Sequence, residues 1–446
     1  MKRWVSLLLV VTMLFSLTAC GSSEDKDTGT GTASTTEKSK VEAPAENKTD
    51  KLVVWTFTDE IKGMIENYYL KAHPDLPYEV EIVVIPNDQY QSKLDPALAS
   101  GKSAPDVFAL EAAYVNKYVD SKFTADLASV GIDKNNVDTM QYVLDVATDS
   151  EGKLKGLSWQ ATPGAFFYRR SIAKEYLGTD DPAEVQAMVA DFDKFYDTAK
   201  KIYDGSNGEV KAISSLGDLV QVFYAARENG WVVDNKFVID PKVEELLDMG
   251  RQLESEGLTN QAEQWTENWF ASMSGNDVFG YFLPTWGLHY VLKTNAVNAE
   301  TGASTEGDWA MIQGPSPYFW GGTWVAMRDG SEMEQAAADL IRYLTLDEDF
   351  LTTWANDTGD FLSNGAVVSA IKDDFTEPFL GGQNHYAAFA EMAPEIDASI
   401  LTGADKDIQD LFTEQLTAYS KGEKEKDAAI ADFKTSVQNL FPNLEY

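Results

Sequence analysis

Residues 51–59 read Lys51-Leu52-Val53-Val54-Trp55-Thr56-Phe57-Thr58-Asp59, and this stretch decides the fold. The run 51–56 is almost wholly apolar and β-branched, which suits a buried strand. Beyond it, Ile61, Met64, Ile65, Tyr68 and Tyr69 recur at helical spacing over 59–72. Working outward, 79–85 is a second strand and 89–100 a helix that stops at Gly101. Residues 106–110 (Asp-Val-Phe-Ala-Leu) are a third, short strand. Strands alternating with helices predict an α/β lobe built on a parallel sheet.

The same alternation continues down the chain. After the turn Asp149-Ser150-Glu151-Gly152, residues 153–159 suit one arm of a hairpin, and 163–169 form another apolar strand. Phe192, Phe195, Tyr196, Ala199, Ile202 and Tyr203 make one helical stripe, with further helices over 219–227 and 243–253. Residues 278–283 (Val-Phe-Gly-Tyr-Phe-Leu) are a strand stopped by Pro284. Short strands at 309–312 and 323–327 flank a loop of Gly, Pro and aromatic residues. A helix at 336–345 and amphipathic helices at 408–419 and 428–441 complete the pattern. The length from 51 to 446 suggests two or three domains or lobes.

The first twenty residues differ in kind. Met1-Lys2-Arg3 is basic, 4–17 is apolar, and small residues precede Cys20, the pattern of a secretory signal peptide over 1–19. The apolar run is short for a spanning helix, which needs about 20 residues. Cys20 is the only cysteine, so no intramolecular disulfide can form and the thiol needs another explanation. Leu17-Thr18-Ala19-Cys20 resembles the lipobox of bacterial lipoproteins. That resemblance implies that Cys20 carries palmitate-type acyl chains and anchors the chain in a membrane, each buried methylene adding about 0.8 kcal/mol. Residues 20–50 lack aromatic residues and are rich in Gly, Ser, Thr, Lys and acids, so they form a tether with a reach of roughly 30 Å. Gly29-Thr30-Gly31 within it is low complexity, not a nucleotide loop.

The charge is one-sided, with 72 acidic against 36 basic residues and a net charge of −36. That field repels nucleic acid and anionic lipid surfaces and is indifferent to an uncharged ligand.

Several stretches in order carry a family resemblance. Trp55-Thr56-Phe57-Thr58-Asp59 ends the first strand. Ala99-Ser100-Gly101-Lys102-Ser103-Ala104-Pro105-Asp106-Val107 joins a helix end to a strand start. Tyr168-Arg169-Arg170-Ser171, Pro284-Thr285-Trp286 and Gly321-Gly322-Thr323-Trp324 follow. Together they resemble the family 1 extracellular solute-binding proteins, the group that includes maltose-binding protein, over essentially all of 51–446. Arg169 departs from the Asn common in the family, and the stretch before Phe192 lacks its usual Pro-x-Thr-Trp helix start.

The resemblance implies a two-lobed, periplasmic-binding-protein-like fold of type II with a hinge. One lobe comprises 51–161 and 315–370, the other 162–314 and 371–446. It implies a binding protein rather than an enzyme: a monomer without cofactor or metal that holds a sugar or oligosaccharide between its lobes. It would deliver this ligand to the permease of an ABC transporter from the outer face of a Gram-positive-type cell membrane. Ligand sites favour such interfaces, and closure would be a hinge motion.

A sugar offers apolar C–H faces to flat aromatic rings and hydroxyls to carboxylates, amides and Arg. Six of the eleven tryptophans occupy loop-like positions: Trp55, Trp159, Trp231, Trp286, Trp320 and Trp324. Trp286 and Trp231 match positions where the family presents aromatics. Trp265 and Trp269, four apart on an expected amphipathic helix, suit the core, as do Trp309 and Trp354. Polar candidates are Asp59 at the first strand-to-helix turn, Glu111 after the third strand, Gln160 and Thr162 beside the hinge, and Asp360; Tyr386 is a further aromatic. Any of Arg169, Arg227 or Arg328 in the cleft would point to an acidic sugar.

Other functions meet the same residues less well. A surface glycoside hydrolase needs a pair of carboxylates that no motif marks. His73, His289 and His385 are far apart and no HExxH exists, so zinc hydrolysis lacks its ligands. No G-x-S-x-G elbow occurs. Gly101-Lys102-Ser103 imitates the end of a phosphate loop, but Pro96 stands where its first glycine belongs. Asp204-Gly205-Ser206-Asn207-Gly208 is a turn that also offers calcium-type oxygens. A polyamine, peptide or metal complex is the alternative solute, since the acidic field suits a cation.

Overall fold

The computed structural model describes residues 47–446; the signal segment, Cys20 and most of the tether lie outside the described residues. Two mixed sheets organise the described chain. In the first, Lys51–Thr56 pairs in parallel with both Glu79–Val84 and Val107–Glu111, as the β-α-β alternation of the sequence requires. A strand from far along the chain, Thr323–Met327, then joins antiparallel, with Thr323 opposite Glu111, and Gly156–Leu157 closes the edge. The expected all-parallel lobe is therefore corrected to a mixed sheet. The arm expected over 153–159 shrinks to Gly156–Leu157, because its strand partner is the distant Val325-Ala326 pair rather than a local hairpin.

The second sheet runs Trp309–Ile312, Gly164–Arg169, Val278–Pro284, Lys211–Ile213. Its three longer strands are buried at every position, which explains their continuous apolar sequence. The helices Phe192–Gly205, Gly217–Ala225 and Pro241–Ser255 bury their apolar stripes in one hydrophobic core with these strands. The C-terminal helices Asp405–Ser420 and Lys426–Leu440 pack on that layer.

Three segments run together between the sheets. Gly164 N–H donates to Tyr318 C=O (2.7 Å) and Trp320 N–H to Thr162 C=O (3.1 Å). Ala161 N–H donates to Phe361 C=O and Ser363 N–H to Trp159 C=O, both at 2.9 Å. Residues 158–164, 317–322 and 360–363 thus form a braid of backbone hydrogen bonds at the junction. Among the described residues no helix is long and apolar enough to cross a membrane.

Candidate functional site

A cavity of about 650 Å³ opens beside that braid. Its wall combines residues on loops and helices after the first sheet's strands with residues from the second sheet's side. Phe57, Thr58 and Glu60 come from the turn after the first strand. There Thr58 Oγ1 accepts from Glu60 N–H (3.1 Å) and starts the helix Asp59–Met64. Consecutive helical residues point about 100° apart, so the cavity receives Glu60 while Asp59 faces solvent.

Glu111, the last residue of its strand, lines the cavity and takes Ala113 N–H on Oε2 (2.9 Å). Burial pushes its carboxyl up to about 7. Asp360 comes from the braid, and its Oδ2 accepts both the Trp159 indole N–H (3.0 Å) and the Trp354 indole N–H (3.2 Å). Burial raises Asp360 too, and it raises Glu60 further because the Asp360 charge adds to it. Two carboxylates on one wall therefore resist being charged together.

The cavity lining is also aromatic. Trp286 stands just past the strand Val278–Pro284, where the chain turns into a short helix, and its Nε1–H donates to Trp320 C=O (2.9 Å). Gly321 makes this approach possible. Its φ is +70°, and a side-chain carbon there would lie 2.8 Å from Trp286 Nε1. Trp265, Trp286 and Trp320 meet with ring centroids 5.6–6.2 Å apart, Trp265 and Trp286 nearly parallel at 18°. Tyr290 follows in a wide helical turn, where Lys293 N–H bonds back to Leu288 C=O, and is 64% exposed.

Of the residues expected at the site, the structure gathers Glu111, Gln160, Trp286, Trp320 and Asp360 around the cavity. The others sit elsewhere. Trp231 is sealed in the second hydrophobic core between Phe237, Phe412 and Phe433, because Gly230 lets Ile400 C=O close over the turn. Trp324 is buried in the first sheet and donates to Val143 C=O (2.9 Å). Trp159 lies behind Asp360 and holds it. Thr162 is buried in the braid, bonded to Gly321 C=O (2.8 Å). Tyr386 is buried against Phe375 and accepts Leu362 N–H (3.2 Å). Trp55 packs on the first core from within its strand.

Trp265 moves the other way. It was expected in the core four residues before Trp269, but the helix begins only at Glu267. Trp265 precedes it with φ +70°, is 45% exposed and lines the cavity, whereas Trp269 is fully buried. Glu60, Phe57, Tyr224 and Tyr290 were also missed. For Glu60 the available signal was its place one step from Asp59. Arg169 is bound to Asp308 and Asn276, and Arg328 to Asp106, away from the cavity. Arg227 does line it, with Nε donating to Tyr224 C=O (2.8 Å) and Nη2 to Asp405 (3.1 Å). Its charge is thus matched by a carboxylate of the same wall.

A family model described as bacterial extracellular solute-binding protein matches residues 32–377. Solved structures share the architecture at low identity. A protein described as extracellular solute-binding protein family 1 is 20% identical, with 88% of this chain and 99% of that chain covered and a TM-score of 0.77. The sugar-binding protein MalE from Xanthomonas citri is 16% identical, with 88% and 97% covered and a TM-score of 0.71. An ABC-transporter-associated binding protein from B. animalis subsp. lactis Bl-04, in complex with β-1,6-galactobiose, is 20% identical, with 88% and 98% covered and a TM-score of 0.66.

Proposed function

Since the chain belongs to the bacterial extracellular solute-binding protein family and has its two-lobed fold, we propose that it captures a sugar or oligosaccharide in the cavity beside the braid. The observation that carries this reading is the mixed lining of the cavity. Trp265, Trp286 and Trp320 offer flat rings to the apolar face of a pyranose. In the same lining, Glu60, Glu111, Gln160 and Asp360 offer acceptors, and a donor from Gln160, to its hydroxyls. Ligand contact with residues from both lobes favours the closed arrangement, so binding shifts the population toward it about the three braided segments. The closed form is what an ABC permease would read, and the sugar complexes among similar structures support that role.

Lipidation of Cys20 would keep the protein on the extracytoplasmic face of the membrane, within diffusion range of such a permease. Fatty-acid labelling that persists in Cys20→Ser would remove this part of the reading.

The test is titration of intrinsic Trp fluorescence, alongside thermal shift, with maltotriose, cellotriose, xylotriose, β-1,6-galactobiose, spermidine and a tripeptide. A saturable response to an oligosaccharide supports the reading. A response confined to spermidine or the peptide replaces it with the alternative solute.

A further inference from the structure

Trp265 holds an unfavourable backbone conformation over the cavity, and something must keep it there. Its φ of +70° is unfavourable for a bulky residue and persists only where the surroundings over-determine it. The surrounding segment, residues 260–266, has no regular structure, and Gln261 also has positive φ (54°). At its start, Asn260 N–H and Ala262 N–H bond to Ile213 and Ser214 C=O, both at 3.1 Å. At its end, one atom serves both sides of Trp265. Asp218 Oδ1 accepts Gln264 Nε2–H (3.1 Å) and Trp269 Nε1–H (2.9 Å), the residue before Trp265 and the residue four after it.

Asp218 is otherwise hard to explain. It is 1% exposed, and among the described residues it forms no ion pair. Its second oxygen, Oδ2, takes Ser215 N–H (3.0 Å) at the start of the helix Gly217–Ala225. The adjoining Gly217 has no side chain, and a carbon there would meet Gln264 Oε1 at 3.3 Å, so the glycine admits the Gln264 side chain. Burying a carboxylate without a cation is expensive unless its hydrogen bonds serve a purpose. Reaching back to the Ser215 N–H alone would need no buried charge.

We propose that Asp218 is the positioning residue of the ligand site: by gripping Gln264 and Trp269 it clamps Trp265 in its left-handed conformation, parallel to Trp286, as part of the wall on which the ligand stacks. Asp218 touches no ligand itself. The proposal rests on the sugar-binding reading for its consequence in affinity, and on geometry alone for the clamp.

Both parts are testable on the full-length protein. Near-ultraviolet circular dichroism of the ligand-free protein reports the coupled indoles, and the bands lost in Trp265→Ala define its signature. Asp218→Ala, which removes the oxygen that accepts both grips, should lose most of those bands with unchanged far-ultraviolet spectrum. It should also weaken binding of the trisaccharide that titrates best among maltotriose, cellotriose and xylotriose by about 10-fold. In the Trp265→Ala background the same substitution should weaken binding by no more than about 2-fold, since coupled residues are not additive. Retention of the bands in Asp218→Ala, or an equal loss of affinity in both backgrounds, overturns the proposal. If Asp218→Ala does not fold, Gln264→Leu removes one of the two grips and must show the same loss of bands. If no sugar binds the parent protein, the sugar reading fails while the dichroism still decides the clamp.

Discussion

Trp231 and Trp286 make an instructive pair. Each follows a turn in the chain, at Gly230 in one case and after Pro284 in the other, and the sequence suggests each as a ligand-stacking ring. In the fold they part. Around Trp231 the helices Asp405–Ser420 and Lys426–Leu440, from the end of the chain, bring Phe412 and Phe433 over the ring and close a core. Around Trp286 the covering groups are two other tryptophans and the glycine turn Gly321-Gly322, and the ring keeps one side on the cavity. A local turn thus sets where an indole leaves the backbone. Elements brought in from elsewhere in the chain set whether it ends in a core or a binding wall.

The sharpest way to break this comparison is to truncate both rings. Trp231→Ala should lower unfolding free energy by about 3–5 kcal/mol, as removal of a fully buried aromatic does. In chemical denaturation its midpoint should fall while calorimetric sugar affinity of the folded fraction changes little. Trp286→Ala should do the reverse, losing roughly 10- to 100-fold in affinity, or about 1.4–2.8 kcal/mol, with a small change in the denaturation midpoint. Equal profiles for the two variants would dissolve the distinction between core and wall.

Gly321→Ala sharpens it further. An added methyl meets both a positive φ and the Trp286 indole at 2.8 Å, so a stability loss of about 1–2 kcal/mol should accompany weaker binding. Alanine at Gly330, also at positive φ (68°) but with open space around it, should cost stability without affecting affinity.

A last prediction concerns pH. Burial holds the Asp218 carboxyl at about 7 in the folded protein, above the value near 3.9 expected in the unfolded chain. Between those values the folded form carries the extra proton. This group therefore favours folding as pH falls and withdraws that support as pH rises through about 7. Melting temperatures across that range should fall more steeply with pH for the parent than for Asp218→Asn, the difference reaching at most about 1.4 kcal/mol per pH unit. Parallel curves would mean that Asp218 is charged throughout.

Much of the fold was legible because its signals are local. The strand at Thr323–Met327, the helix end at Gly101 with φ +66°, and the stripe from Phe192 to Tyr203 follow from periodicity and chain stops. The site was legible only where locality sufficed. Trp286 and Glu111 sit at strand ends, and strand ends face the cavity. Asp59 failed by one residue, since the alternation of a short helix start cannot be phased to within 100° from sequence. Trp265 failed because its spacing to Trp269 suits a helix, while its backbone is held outside one by a carboxylate from a different helix.

The sequence by itself determined the alternating elements, the apolar central strands and the acidic character of the chain, because each rests on residue type and short-range spacing. Only the tertiary structure decided which strands pair across more than a hundred residues, that Thr323–Met327 enters the first sheet antiparallel, and which indoles face the cavity. The reason is physical. Burial depends on what arrives from elsewhere in the chain: Phe412 and Phe433 make Trp231 a core residue, and Asp218 makes Trp265 part of a wall.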